Sequence, residues 1–192
     1  GTLLAQGQIN QALNGSNVQL GTGALAAAAG TTVTSQTTCV GVDAGAALTT
    51  GSYANTAVGY QAMNKTAGGY SNVAVGRQAL TNNTSGYKNV AVGDESALAN
   101  TVGVSNTAVG TLALKANTDG NHNVAVGSES LDALTTGSFN TAVGSSTLTA
   151  GTSTSYNTAV GYNALTLASG ATNTAVGAQA LSSTTTGTSN VA

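Results

Sequence analysis

The chain has 192 residues, of which 5% are charged, and its formal net charge is −2. It has no Pro or Trp, and its one cysteine, Cys39, excludes a disulfide framework within the chain. The lack of a basic patch argues against nucleic-acid binding, and no stretch is long and apolar enough to predict membrane insertion. Because large apolar side chains are scarce but the sequence is periodic, we expect a thin repeat fold.

The N-terminal part is the least regular. Residues 1–16 carry Gln, Asn and Leu without a clear repeat, and we interpret them as a lead-in or capping segment. Residues 17–54 hold two irregular copies of a five-residue word that later becomes regular, at 17–21 and 37–41. Terminal repeats of a solenoid are often atypical. Cys39 stands where later copies have Ala, which predicts a small buried residue rather than a reactive thiol.

The word Asn-Thr/Val-Ala-Val-Gly recurs through residues 55–192 at a spacing of 17 residues, with one step of 16. A near-constant period of this length indicates a stacked repeat, in which each coil buries its apolar side against its neighbours. We therefore predict an all-β fold, a parallel β-roll or β-solenoid of about ten coils, each with two short strands.

The Asn and Gly residues that bound each word are predicted to form structural ladders. Asn hydrogen-bonds backbone at turns, and stacked amides bond one another from coil to coil. Gly ends the strand where the chain turns, which favours a positive φ or a close backbone approach. The ladders comprise Asn55, Asn72, Asn89, Asn106, Asn123, Asn140, Asn157 and Asn173, and Gly59, Gly76, Gly93, Gly110, Gly127, Gly144, Gly161 and Gly177.

Alternation along the strand predicts which side chains face the coil interior. The first and third residues of the strand are β-branched, for example Val73 and Val75. We expect their side chains to face the coil interior. Later leucines such as Leu80 and Leu114 are expected to join them from the second strand. The small residue at the middle of the strand, such as Ala57, then faces outward and allows close packing against another copy of the chain. This arrangement predicts a homotrimer.

Aromatic residues recur at one position of three neighbouring coils. Tyr53, Tyr70 and Tyr87 each lie two residues before the motif Asn. Packing at a coil corner or a trimer seam is the first interpretation, and surface contact with a sugar or a protein is the alternative.

Two nine-residue phrases carry a resemblance to known proteins. Residues 55–63 read Asn-Thr-Ala-Val-Gly-Tyr-Gln-Ala-Met, and residues 157–165 read Asn-Thr-Ala-Val-Gly-Tyr-Asn-Ala-Leu. They resemble repeats in the fibre proteins of tailed bacteriophages and some large viruses. The shorter word resembles the Asn-Ser-Val-Ala-Ile-Gly repeats in the heads of trimeric autotransporter adhesins, although the 17-residue period here is longer.

The resemblance covers roughly residues 17–192. Since the adhesin heads are left-handed parallel β-rolls assembled as trimers, it implies a left-handed roll, a homotrimer and a place on a virion or cell-surface appendage. It carries no catalytic residue over to this chain.

The sequence does not favour catalysis. The single histidine, His122, has no nucleophile and carboxylate recurring around it as a catalytic triad requires. The adjacent acids Asp94 and Glu95 are weak evidence for Ca²⁺, because the Gly-rich, Asp-containing calcium repeat is absent. We expect a protein that is not an enzyme, with no cofactor and no metal site.

The leading hypothesis is a structural rod segment of a viral (phage) fibre, an extracellular virion appendage that presents or contributes to host receptor binding. Its expected partners are itself as a homotrimer, other fibre or virion proteins, and a host-surface glycan or protein. The alternative is the head of a bacterial trimeric surface adhesin that binds glycan or matrix protein. A weaker alternative is ice binding through Thr107, Thr141, Thr158 and Thr174, a row that Val interrupts in other coils.

Overall fold

The computed structural model describes residues 17–26, 36–49 and 51–192, and the lead-in segment predicted for residues 1–16 lies outside this part of the chain. The described residues form ten strands of three residues each. The strands are β1 (Val18–Leu20), β2 (Thr38–Val40), β3 (Thr56–Val58), β4 (Val73–Val75), β5 (Val90–Val92), β6 (Thr107–Val109), β7 (Val124–Val126), β8 (Thr141–Val143), β9 (Thr158–Val160) and β10 (Thr174–Val176).

All ten strands belong to one parallel sheet whose order in space is the order along the chain. Each turn of the chain therefore adds one strand beside the previous one, and about nine turns separate the first strand from the last. The predicted all-β solenoid with coils of about 17 residues is confirmed.

The strand register is constant although the coils differ in length. The first two steps are 20 and 18 residues, yet Val18 pairs with Thr38 and Thr38 with Thr56. The 16-residue step keeps the same register, since Thr158 pairs with Thr174. Insertions and deletions are therefore absorbed outside the strand, as loops tolerate them at low cost.

The predicted orientation of the strand side chains is wrong. The middle residue is fully buried, as at Ala57 and Ala74, whereas the flanking Thr56, Val73 and Val75 are only partly buried. The interior is narrow, and the long side chains that fill it come from the opposite wall of the coil, where Met63 and its equivalents are fully buried. Only a small side chain fits on the strand against them, Ala in most coils and Cys39 in β2, so the β-branched residues face outward.

The predicted second strand is replaced by three overlapping β-turns. In the coil that begins at Asn55, backbone N–H groups donate to the carbonyl three residues earlier, from Ala62 to Gly59, Asn64 to Gln61 and Thr66 to Met63. Gln61 and Met63 have φ of 56° and 52°. A positive φ at the third residue of a turn is the mark of type II geometry.

The turns stack on neighbouring coils through further backbone hydrogen bonds. The N–H of Gln61 donates to Val42 in the preceding coil at 2.9 Å, and the N–H of Met63 donates to Ala79 in the following coil at 3.0 Å. These bonds offset the steric cost of about 1–2 kcal/mol that an L-residue has in the left-handed region. The leucines predicted to lie on a second strand are buried, as Leu80 and Leu114 are at 0% exposure, but they lie in turns rather than in a strand.

The motif glycine combines a positive φ with a close approach of the next coil. Gly93 has a φ of +135°, and a Cβ there would lie 2.5 Å from the carbonyl oxygen of Gly110. Gly177 has the same conformation, with a φ of +134°, but the nearest atom to its Cβ position is 4.0 Å away. Substitutions at these two glycines can therefore distinguish the cost of the backbone conformation from the cost of crowding by the next coil.

We expect Gly93→Ala to lower the free energy of unfolding by more than about 3 kcal/mol, because it adds a backbone clash to an unfavourable φ. Gly177→Ala carries only the conformational cost, about 1–3 kcal/mol. Gly68→Ala, which has open space and no positive φ, is expected to change stability by less than about 1 kcal/mol. Urea unfolding followed by circular dichroism measures all three, and equal losses for Gly93 and Gly177 would contradict the role of crowding.

Candidate functional site

The motif asparagines form a buried ladder that links each coil to both of its neighbours. The backbone N–H of Asn72 donates to Oδ1 of Asn55 at 3.0 Å, and Nδ2 of Asn72 donates to the carbonyl of Gly86 at 2.9 Å. Oδ1 of Asn72 accepts from the backbone N–H of Asn89 at 3.0 Å. The same pattern extends to Asn190 at the end of the chain.

A second buried ladder lies beside the first and was not predicted from the sequence. It consists of Asn83, Asn100 and Asn117, in which Nδ2 donates to Oδ1 of the preceding member at 2.9 and 2.8 Å. The signal that reveals it is an Asn eleven residues after the motif Asn in three successive coils. The ladder ends where Leu134 takes the equivalent position, and Oδ1 of Asn117 has no hydrogen-bond partner among the described residues.

The two ladders meet at the second glycine of the coil. The carbonyl of Gly103 accepts from Nδ2 of Asn89 at 2.8 Å and from Nδ2 of Asn100 at 3.2 Å. This buried backbone oxygen therefore accepts two hydrogen bonds, one for each of its lone pairs, as is expected of a polar group that water cannot reach. These amides are 1% exposed, so their chemistry serves the stacking of coils and offers nothing to a ligand.

The three tyrosines of the predicted surface contact form a parallel stack. The ring centroids of Tyr53 and Tyr70 are 4.9 Å apart, and those of Tyr70 and Tyr87 are 4.7 Å apart. Partial burial between its neighbours, reinforced by Tyr87 and Tyr53, raises the pKa of the Tyr70 hydroxyl above its usual value. Offset stacking of this kind is a favourable geometry for an aromatic pair. Stacking covers both faces of Tyr70 and one face each of Tyr53 and Tyr87, which leaves the ring edges and the two end faces of the stack to contact a partner.

A second aromatic stack lies one residue further along the coil. His122, Phe139 and Tyr156 each directly precede a motif Asn, and their ring centroids are 5.0 and 5.2 Å apart. His122 is therefore a stacking partner rather than a member of a catalytic constellation. The sequence signal was the shared position in three consecutive coils.

The adjacent acids Asp94 and Glu95 form ion pairs with basic side chains of neighbouring coils. Arg77 contacts Asp94 and Glu95 at 2.8 Å each, and Lys115 contacts Glu95 at 3.1 Å. Hydrogen bonds from Arg77 and then Lys115 lower the pKa of Glu95. Exposed ion pairs of this kind individually contribute little to stability, because solvent screens them. Within the described ranges, no group of three or more His, Cys, Asp or Glu side chains is placed to hold a metal ion.

Cys39 occupies the Ala position of β2, as predicted. It is 0% exposed and pairs in register with Ala57. Burial raises the pKa of its thiol to about 12. The thiolate that would act as a nucleophile is therefore disfavoured at neutral pH.

Comparison with protein-family models, curated proteins and solved structures yields no match. In the part of the chain that is described, no helix reaches the length and hydropathy needed to cross a bilayer.

We expect Asn106→Asp to destabilise the fold by about 3 kcal/mol or more at pH 7. The new carboxylate cannot donate to the carbonyl of Gly120, which now receives a hydrogen bond at 2.8 Å. Burial raises the pKa of such a carboxyl above the value of about 3.9 in the unfolded chain, so the loss grows as pH rises and shrinks towards pH 3. Asn82→Asp, at a partly exposed site beside Lys65, is the matched control and is expected to change stability by less than about 0.5 kcal/mol. Equal unfolding midpoints for the two variants at pH 7 would refute the ladder's role.

The thiol of Cys39 should react with a disulfide reagent at pH 8 at least about 100-fold more slowly in the folded protein than in urea, because the reactive thiolate is absent and the site is closed. The unfolded chain releases the thiol proton near pH 9 while the folded chain retains it to about pH 12. Stability is therefore lost as pH rises across this window. Cys39→Ala should remove that part of the pH dependence, and rapid labelling of the native protein would contradict the assignment.

Proposed function

We propose that this chain is a structural rod segment of a viral fibre, an extracellular virion appendage that assembles as a homotrimer and presents or contributes to host receptor binding. The observation that supports the proposal is the outward face of the ten-stranded sheet. Its strands share one register, and the described strands contain no charged residue. A uniform, uncharged face with a fixed repeat favours self-assembly over catalysis or ligand binding.

The outward face carries two parallel rows of side chains. The first row is Thr or Val, and the second is mainly Val, with Val143 and Val176 being 36% and 61% exposed in a single chain. At about 4.8 Å per strand, the rows extend over about 43 Å. Between their two ends the rows are mostly partly exposed, and the second row is apolar throughout. A continuous uncharged surface with an apolar row of this length favours an interaction site.

A second and a third copy of the chain are the partners that this face fits best. Every copy has the same spacing of Val and Thr along the axis, so rows on two copies interdigitate along their whole length. The number three rests on the resemblance to fibre and adhesin-head repeats. The packing contact is made by the outward β-branched residues, because the alanines lie inside the coil.

The rod character follows from the ladders. Each coil repeats the same hydrogen bonds to its neighbours, so bending would have to break buried amide contacts. A rigid segment of this kind holds other fibre or virion proteins at a fixed distance. Host-surface glycans or proteins are then contacted by the variable residues outside the word.

The assembly is tested by sedimentation equilibrium. We expect about 55 kDa, three times the 18.4 kDa of one chain. Val109→Lys places a charge in the middle of the outward Val row and is expected to give a folded monomer. Thr111→Lys, at an exposed position two residues on, is the matched control and should remain trimeric. A monomeric parent chain, or a trimer that survives Val109→Lys, would exclude this interface.

The viral assignment is tested by the neighbouring genes. Baseplate or capsid genes beside this one support a virion fibre. A coiled-coil stalk and a membrane anchor encoded in the same reading frame would favour the bacterial adhesin instead.

A further inference from the structure

Two tyrosines stand apart from the aromatic stacks. Tyr60 and Tyr162 belong to none of the stacked pairs found among the described residues. They are 49% and 57% exposed, and the stacked Phe139 and Tyr156 are 49% and 61% exposed, so it is the lack of an aromatic neighbour, not the exposure, that distinguishes them. Both directly follow a motif Gly, so they lie at the same corner of the solenoid. Six coil steps separate them, which is about 29 Å at 4.8 Å per step.

The residues stacked beside Tyr162 are too small to cover its ring. Backbone hydrogen bonds from Asn163 to Ser145 at 3.1 Å and from Gln179 to Tyr162 at 2.7 Å fix the alignment of the three coils. Ser145 and Ala178 therefore occupy the positions on either side of Tyr162, and both are exposed. In contrast to the stacked tyrosines, this ring has no aromatic neighbour to cover its faces.

Amide side chains follow both tyrosines. Asn163 comes after Tyr162, and the exposed Gln179 holds the equivalent position in the next coil. Gln61 comes after Tyr60, and Nε2 of Gln78 in the next coil donates to Oε1 of Gln61 at 3.2 Å. The Tyr60 corner differs in that Arg77 lies beside Tyr60 in the next coil and donates from Nη1 to Oε1 of Gln78 at 2.8 Å. At the Tyr162 corner, the amides of Asn163 and Gln179 each offer both a donor and an acceptor, so the ring there lies beside polar groups of both kinds.

We propose that this Gly-Tyr-amide corner binds neutral carbohydrate. The apolar C–H face of a sugar ring packs on the ring of Tyr162, and the sugar hydroxyls exchange hydrogen bonds with the amides of Asn163 and Gln179. The positions on both sides of Tyr162 are uncharged, which favours a neutral sugar over an acidic one. The proposal deepens the proposed function, because it names the class of receptor that the rod contacts.

A carbohydrate fits this corner better than a protein partner does. Protein interfaces concentrate their binding energy on aromatic residues that are fully desolvated within a surrounding apolar patch. Tyr162 is instead a single ring among Ser, Ala and amide side chains. One ring and a few amides give weak affinity, but two corners on each chain raise retention on a surface that carries many glycans.

The test is binding of the 192-residue protein to an immobilised array of neutral oligosaccharides and their sialylated counterparts. We expect retention on neutral glycans, reduced at least about tenfold by Tyr162→Ala and abolished by Tyr60→Ala combined with Tyr162→Ala. Tyr87→Ala, which removes a stacked ring, is the matched control and should retain binding. Circular dichroism of each variant verifies that the coils are folded.

The inference is overturned if no neutral glycan is retained, if the double variant binds like the parent, or if Tyr87→Ala abolishes binding in a folded protein. Sedimentation of the same samples separates this result from the proposed assembly. A trimer without glycan binding removes the carbohydrate site alone. A monomer with Tyr162-dependent binding keeps the carbohydrate site and removes the homotrimer.

Discussion

The buried amide ladder is the constraint on which the rest of the structure depends. Each motif Asn, such as Asn106, bonds the coil before it and the coil after it from a position that is 2% exposed. An unpaired buried amide costs about 1–3 kcal/mol, so a coil that lost register would leave several such groups unsatisfied. Loop lengths are free to vary because the ladder and the three-residue strand set the register.

The narrow interior decides which surface the protein presents. Turn residues such as Met63 and Leu80 fill the coil, and only a small side chain, Ala in most coils and Cys39 in β2, fits on the strand opposite them. The Thr and Val rows are therefore turned outward, where they form an uncharged face along the axis. The same crowding that reversed the predicted orientation produces the surface on which the proposed assembly rests.

The aromatic residues divide into two groups by what lies in the adjacent coils. Tyr70 and Phe139 have aromatic neighbours on both sides and stabilise the stack, whereas Tyr162 has Ser145 and Ala178. The side chains that a ring meets one coil away thus determine whether it supports the fold or is available to a ligand. Sequence position within the repeat does not separate these roles unless neighbouring coils are compared.

The sequence alone determined the repeat, the parallel stack, the ladder of Asn residues and the need for Gly at the end of each strand, since all of these follow from a 17-residue period and local chemistry. It also held the signals for Asn83 and its partners and for the second aromatic stack. Only the tertiary structure decided that Ala57 faces inward and that Met63 lies in a turn of positive φ. Alternation gives two equivalent orientations of a strand, and the choice between them depends on the width of the interior, which is set by the opposite wall of the coil.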